Sequence, residues 1–349
     1  MSTVVTFTGP RAIGLTDHEE PALGPGEVRV ETLFSGISAG TELTAYRGTN
    51  PYLAKRWDPE RRLFVPGEQS FEYPVEGWGY EEGGRVVEVG ADVTRVSEGD
   101  LIYGSWGHRT SAVLPEERAL GLLPDGVDPV CAIFARIGAI ALNGILDADI
   151  HVGEHVAIFG QGVPGLIATQ LARLNGATVI AADAIPARLQ LARRLGAAHT
   201  LDVTRQDAGE AVKELTGGLG ADVSIEISGV HAALHSAIRA TAYNARVVAC
   251  GFFQGEGRGL FLGEEFHHNR ISVVCSQISG VRADLAQRWD RARLERTVME
   301  LQAAGRLDLQ PLISHVLPYE RAAEAFELLD EDPAGAVQIV LDFTEDRGG

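Results

Sequence analysis

From residue 1 to about 125 the chain alternates apolar and polar positions in short runs broken by Gly, Pro and Asp. Examples are Val4-Val-Thr-Phe, Glu27-Val-Arg-Val-Glu-Thr-Leu, Gly84-Arg-Val-Val-Glu-Val-Gly and Asp100-Leu-Ile-Tyr. Such alternation predicts an all-β, barrel-like region. Beyond about residue 150 the pattern becomes strand, glycine turn, long helix, strand, repeated, which predicts parallel strands joined by crossover helices. The strands are expected at 155–159, 178–182, 199–202, 223–227, 246–251 and 271–275, and their near-continuous apolar character fits strands covered on both faces. After Gln277 an Arg-rich amphipathic helix is expected over about 285–304, followed by a turn at Gly305 and strands near 315–317 and 336–343.

At 349 residues the chain exceeds what one core usually supports, so two domains are expected. Hydrophobic residues at 45% and charged ones at 22% are the balance of a globular protein and exclude disorder, collagen or coiled coil as whole-chain descriptions. A net charge of −18 opposes nucleic acid and anionic membranes, so a small-molecule partner is expected. Cys131, Cys250 and Cys275 are too few and too scattered for a disulfide framework or a CxxC metal knuckle. The N-terminus lacks a basic segment with an apolar core. The longest apolar stretch, 132–145, is interrupted by Arg136 and Asn143 and reads as too short to span a bilayer. A cytoplasmic location follows as the expectation.

Gly160-Gln-Gly162-Val-Pro-Gly165 lies between an expected strand and an expected helix, and the next strand ends at Asp183. This is the context in which G-x-G-x-x-G carries a dinucleotide. Gly160 permits a tight turn, Gly162 lets the backbone approach a pyrophosphate, and Gly165 allows close helix packing, while the helix N-terminus supplies donors. Val163 and Pro164 complete the loop. Asp183 can accept from both ribose hydroxyls of NAD and would repel the extra phosphate of NADP. A structural turn followed by a surface Asp is the plainer alternative.

With a β-rich first third and this fingerprint, the sequence resembles the medium-chain dehydrogenase/reductase superfamily, the zinc alcohol dehydrogenase-like proteins. The match is carried by Ser35-Gly-Ile-Ser-Ala-Gly-Thr-Glu-Leu43, by the stretch from Gly79 to Gly90, by Gly220-Ala-Asp-Val-Ser-Ile-Glu-Ile-Ser-Gly229 and by Arg246-Val-Val-Ala-Cys-Gly251. It implies an α/β fold, a GroES-like β-barrel catalytic domain plus a Rossmann doubly wound parallel sheet. The catalytic domain would be split across 1–136 and 277–349, with the nucleotide domain at 137–276. It also implies that Arg188 flanks the adenosine ribose, that Ser228, Cys250, Gly251, Phe252 and Ser276 border the nicotinamide, and that copies pair as a homodimer or homotetramer.

At the family's catalytic zinc positions the chain has Ser38 or Ala39, Tyr80 and Arg136, with Glu81 the one surviving candidate ligand. Zinc needs three protein ligands at a catalytic site, from thiolate, imidazole or carboxylate, so no metal is expected. Something else must then polarise the substrate oxygen. Tyr80 can donate to or accept from it, more readily if a cation lowers its pKa; Thr41 matches the family's hydroxyl relay; Arg136 places a fixed positive charge there. Against these stand an aromatic plug for Tyr80 and a salt bridge from Arg136 to Glu81 or Glu42. His108 is the histidine best suited to acid/base work, or else a surface-loop residue. Trp78 and Trp106, with Glu81 and Arg109, suit a hydroxylated ring such as a sugar or cyclitol, and the charged loop 48–78 would shape access. Cys250 and Cys275 read as buried core residues. The Ser-Gly-Ile-Ser-x-Gly-Thr-Glu element is most similar to a zinc-less branch that includes the bacteriochlorophyllide hydroxyethyl dehydrogenase. It suggests NAD-linked oxidation of a secondary alcohol; NADPH-dependent enone or quinone reduction and non-catalytic nucleotide binding are the other readings.

Overall fold

The computed structural model describes residues 1–119 and 121–344. Contacts divide the chain into two units, one of Met1–Arg136 with Ile313–Gly349 and one of Ile137–Leu312.

The first unit opens with β1 (Ser2–Gly9), β2 (Ala12–His18) and β3 (Glu27–Gly36), then a short helix α1 (Glu42–Arg47) and a hairpin of β4 (Lys55–Asp58) and β5 (Leu63–Pro66). It continues through β6 (Val75–Glu76), β7 (Glu82–Val89), β8 (Leu101–Gly104), β9 (Ser111–Pro115) and β10 (Gly121–Leu122). The alternating apolar positions of β3 and β7 bury Val28, Val30 and Val86 against Ile102, Trp106 and Leu114. The larger sheet runs β10-β8-β7-β3 and is continued by two strands from the far end of the chain.

In the second unit, α2 (Phe134–Ala148) leads to β11 (His155–Phe159), α3 (Val163–Leu174), β12 (Thr178–Asp183), α4 (Pro186–Arg194) and β13 (His199–Asp202). Then come α5 (Ala208–Leu215), β14 (Ala221–Glu226), α6 (His231–Ala240), β15 (Thr241–Ala249), β16 (Ser272–Cys275) and α7 (Arg291–Ala303). The six strands lie in the order β13-β12-β11-β14-β15-β16, all parallel, which is the doubly wound dinucleotide order. Each falls where the apolar runs predict it, with ends displaced by a few residues. The expected helix over 285–304 begins later, because Asp290 takes an extended backbone and its side chain accepts from Arg293 N at 2.7 Å. That fixes the N-cap.

The return to the first unit also comes later than residue 277. The α7 helix buries Leu294, Val298 and Met299, Val298 packs on Gly138, and Gln170 exchanges two hydrogen bonds with the Asp308 backbone (2.8 and 3.1 Å). Residues 277–312 thus complete the nucleotide unit. The first unit resumes with β17 (Ile313–Pro318), α8 (Ala322–Glu331) and β18 (Gln338–Asp342). β18 lies antiparallel on β3, pairing Leu341 with Ser35, while Phe326 of α8 packs edge-on against Phe7 at 5.1 Å.

The run Pro129–Ala148 forms 20 continuous helical residues of mean hydropathy 1.8, passing through Arg136 and Asn143. By length and composition it could cross a bilayer, contrary to the sequence expectation. Its window is 78% buried within the protein, as a core helix is.

Candidate active site

Pairing of β3 with β7 sets Ser35 opposite Glu82, and Gly36 N donates to Glu81 O at 2.7 Å. This brings the loop after β3, carrying Ser38 and Thr41, against the residues that enter β7, Tyr80 and Glu81. The Tyr80 hydroxyl lies 2.5 Å from Ser38 Oγ and 3.3 Å from Thr41 Oγ1. Burial, and then the Glu81 carboxyl, hold the phenol above its ordinary range despite those two hydrogen bonds. Tyr80 is therefore a neutral phenol, and no cation lowers it. Glu81 is 1% exposed and neither carboxylate oxygen has a hydrogen-bond partner. Burial, followed by Glu42 and Glu82, pushes it well above the carboxylate range. Arg136, half-buried at the start of α2, makes no hydrogen bond to either Glu81 oxygen.

His108 is fully buried, neither a surface histidine nor an acid/base group open to substrate. Its Nε2 lies 2.6 Å from Glu42 Oε2 and its Nδ1 2.6 Å from Ser35 Oγ, which reaches Glu82 Oε1 at 3.4 Å. Glu42 Oε1 accepts from Ser38 N (2.9 Å) and Glu82 Oε2 from Trp106 N (2.8 Å). Burial opposes the imidazolium, but Glu42 and Glu82 outweigh it and raise the His108 pKa. Burial also lifts Glu82 to about 7, although His108 pulls the other way. His108 thus ties Glu42 and, through Ser35, Glu82 together beneath the loop that aims Ser38 at Tyr80. Sequence reasoning missed Ser35, Glu42 and Glu82 as functional positions; the signal was two carboxylates, Glu42 and Glu82, inside otherwise apolar strand and helix ends.

The tryptophans divide. Trp106 is a core plug whose Nε1 donates to Thr32 Oγ1 at 2.9 Å. Trp78 ends a chain of rings that starts on the hairpin: Trp57–Phe64 at 5.0 Å, Phe64–Tyr52 at 5.6 Å, Tyr52–Phe71 at 5.8 Å and Phe71–Trp78 at 5.2 Å. The charged loop 48–78 therefore contains an ordered hairpin.

In the second unit the expected cofactor residues lie at the carboxyl ends of the strands or in the first turn of the helix that follows, where open α/β sheets take ligands. Gly160 turns after β11 with φ +98°, and a Cβ on Gly165 would stand 1.9 Å from Gly160 O. A Cβ on Gly162 would meet nothing closer than 3.9 Å, so the loop keeps an open cradle in front of the α3 N-terminus. Val163 and Pro164 open that helix. Asp183 ends β12, its Oδ2 accepting from Gln161 N (2.5 Å) and Oδ1 from Ile185 N (2.8 Å). Each oxygen retains lone-pair capacity for a ribose. Burial lowers the Arg188 pKa while Asp183 raises it, so the two share a field. This donor set fits a nicotinamide dinucleotide.

Beyond β14, Ser228 spends its hydroxyl on Glu226, which also accepts from Ser228 N at 2.8 Å and Gly229 N at 3.1 Å. Cys250, Gly251 and Phe252 follow β15, and Phe252 is 42% exposed. Burial pushes the Cys250 thiol up to about 12, so it stays a protonated thiol and a poor nucleophile at neutral pH. Asn143 Nδ2 reaches Ser276 Oγ at 3.3 Å. Cys275 is exposed, against expectation, because β16 is the sheet's edge strand.

Residues 164–293 match the family model described as zinc-binding dehydrogenase. A D-guloside 3-dehydrogenase of Escherichia coli (strain K12) is 32% identical over 345 residues, covering 96% of this chain and 98% of the relative. The chain belongs to the medium-chain dehydrogenase/reductase superfamily. An alcohol dehydrogenase of Cupriavidus necator is 25% identical, covering 98% of each chain. Among solved structures, a Sinorhizobium meliloti 1021 chain bound to NADP superposes with a TM-score of 0.79 at 24% identity, over 98% of this chain and 99% of that one. The dehydrogenase is accordingly an oxidoreductase acting on alcohols with a nicotinamide cofactor. Zinc, which the family model implies, meets a poor donor set at the family's positions. Ser38 and Tyr80 offer hydroxyls committed to each other, Arg136 is a cation, and Glu81 is a single carboxylate. Among the described residues, His235, Glu264 and Glu265 could converge on an ion, but Arg239 occupies Glu265 Oε1 at 3.1 Å.

Proposed function

We propose that this dehydrogenase interconverts a secondary ring alcohol and its ketone with NAD(H), without zinc, the substrate being a sugar, glycoside or cyclitol. The observation that carries the reading is the Tyr80 phenol, held by Ser38 and Thr41 where relatives place a metal ligand. A nicotinamide dinucleotide held by the Gly160–Gly165 loop and Asp183 would supply the hydride acceptor for the carbinol carbon. The hydroxyl proton passes to Tyr80 as the phenol hands its own to Thr41 Oγ1, and the half-buried Thr41 hydroxyl gives up its own proton to solvent; in reduction the same relay runs in reverse and protonates the developing alkoxide. The raised phenol pKa keeps Tyr80 protonated at neutral pH, the state from which it hydrogen-bonds to the substrate oxygen. Asp183 supports NAD over NADP by charge. The relative that acts on a guloside supports a ring hydroxyl as the target. The exposed edge of β16, with Val273 41% exposed, supports pairing of two copies.

The test is absorbance at the nicotinamide band after dialysis against a chelator, with methyl glycosides and cyclitols as substrates. NADH formation that survives chelation and falls about 10²- to 10⁴-fold in Tyr80→Phe is expected. Activity lost to the chelator and restored by zinc would overturn the metal-free reading. NADPH loss on enones, or binding without turnover, would overturn alcohol oxidation.

A further inference from the structure

The row of rings that ends at Trp78 is joined to the candidate active site at two points. Trp78 itself stands two residues before Tyr80. Midway along the row, Tyr52 N donates to Asn50 Oδ1 at 3.0 Å, Asn50 Nδ2 donates to Thr44 Oγ1 at 2.6 Å, and Thr44 Oγ1 donates to Thr41 O at 2.6 Å. The outer end is held as firmly. Trp57 N donates to Ser70 Oγ at 3.0 Å, Ser70 N to Tyr52 O at 2.8 Å, and Asp58 Oδ1 accepts from Glu60 N and Arg61 N across the hairpin turn at 3.1 and 3.0 Å. Six aromatic residues fall within 52–78 of a chain that is 7% aromatic, so the rings are gathered beside this site rather than scattered.

The row grades from covered to open. Phe71 and Trp78 pack on the core of the first unit, whereas Trp57 and Phe64, cross-strand partners one pair from the hairpin turn, are 37% and 41% exposed, and Leu63 is 58% exposed. β4 pairs with β5 alone, and a two-stranded hairpin has no core of its own in which to bury such groups. Large apolar side chains fixed open to solvent beside a polar site mark a binding surface. Continuity with the Tyr80 cluster points to the substrate as the occupant. The open rings and Leu63 offer stacking and edge contacts and almost no hydrogen bonds, which suits a flat apolar group better than a second sugar, whose hydroxyls would lose water unpaired. Five rings in successive contact also reach farther than one ring of a ligand. We propose that the row is the subsite for the aglycone of the substrate, an extended, flat, apolar group that stacks outward from Trp78 toward Trp57 and Phe64 while the attached ring alcohol meets Tyr80. The inference rests on the catalytic reading above and narrows its substrate class to glycosides with apolar aglycones.

Calorimetry on the intact chain with methyl, phenyl and 4-biphenylyl D-gulosides tests this apart from turnover. The wild type and Tyr80→Phe should both bind the biphenylyl guloside about tenfold or more tightly than the methyl one, with the phenyl guloside between them. Trp57→Ala and Phe64→Ala should return biphenylyl binding to the phenyl level, and Trp57→Phe, which keeps a ring, should retain most of the gain. In wild-type turnover KM should follow the same order while kcat changes little. Absent or equal binding of the three gulosides by the wild type, or a gain that survives in both alanine variants, would overturn the proposal. So would a dimer that dissociates in those variants on sedimentation, which would give the rings to a second copy of the chain. Graded binding that disappears in the alanine variants, with no NADH formed, would sustain the subsite and overturn the catalytic reading alone.

Discussion

Replacing Glu82 by Gln isolates the electrostatic cost of the buried brace. Glu82 is fully buried, and its folded pKa of about 7 lies above the ordinary 4.5. Between those values the native chain holds a proton that the unfolded chain has released, so stability is full below 4.5 and is lost as pH rises to 7. The gap corresponds to about 3 kcal/mol of destabilisation in the wild type at pH 8. A Gln at 82 mimics the protonated acid: its carbonyl can accept from Trp106 N and its amide can donate to Ser35 Oγ. His108 keeps its closer anion, Glu42, at 2.6 Å. The raised pKa values of His108 and Glu81 act in the same direction, and because Glu82 helps to raise both, they shrink in the variant and flatten its curve further. Urea midpoints followed by tryptophan fluorescence from pH 4.5 to 8 should therefore fall less steeply in Glu82→Gln, the curves meeting at the acid end and separating by about 3 kcal/mol at pH 8. Parallel curves would refute a Glu82 held protonated by burial.

His108→Phe leaves Glu42 Oε2 buried without its partner and should cost about 3–5 kcal/mol, read as a lowered thermal midpoint, with His108→Gln recovering part of it. Asp183→Gly should weaken NAD about tenfold or more and improve NADP, measured by fluorescence titration; unchanged preference would remove Asp183 from the ribose site. Asp290→Ala deletes the N-cap of α7 and should cost about 1 kcal/mol without altering cofactor affinity.

The nucleotide unit was largely legible in the chain. Its strands are apolar on both faces, so each reads as an uninterrupted run, and Gly160 and Gly165 stand where only glycine fits the turn and the helix approach. Local periodicity did not reveal where the unit ends. Residues 277–312 look like a free amphipathic segment until Val298 is seen against Gly138 and Gln170 against Asp308, contacts across more than a hundred residues. Cys275 misled for a related reason: β16 has strand texture, but whether a strand is central or at the edge is set by sheet order alone.

The candidate active site divides in the same way. Sequence by itself determined which chemistry was on hand, a tyrosine and hydroxyls where relatives carry metal ligands, with carboxylates and one histidine nearby. Only the tertiary structure decided what those groups can do. The register of β3 on β7 puts Ser35 against Glu82 and sinks His108 between two glutamates, and that burial, through desolvation, makes a seemingly accessible histidine a structural cation and keeps Tyr80 a neutral phenol. Residue identity fixes an intrinsic pKa; the fold sets the dielectric and the neighbours that shift it.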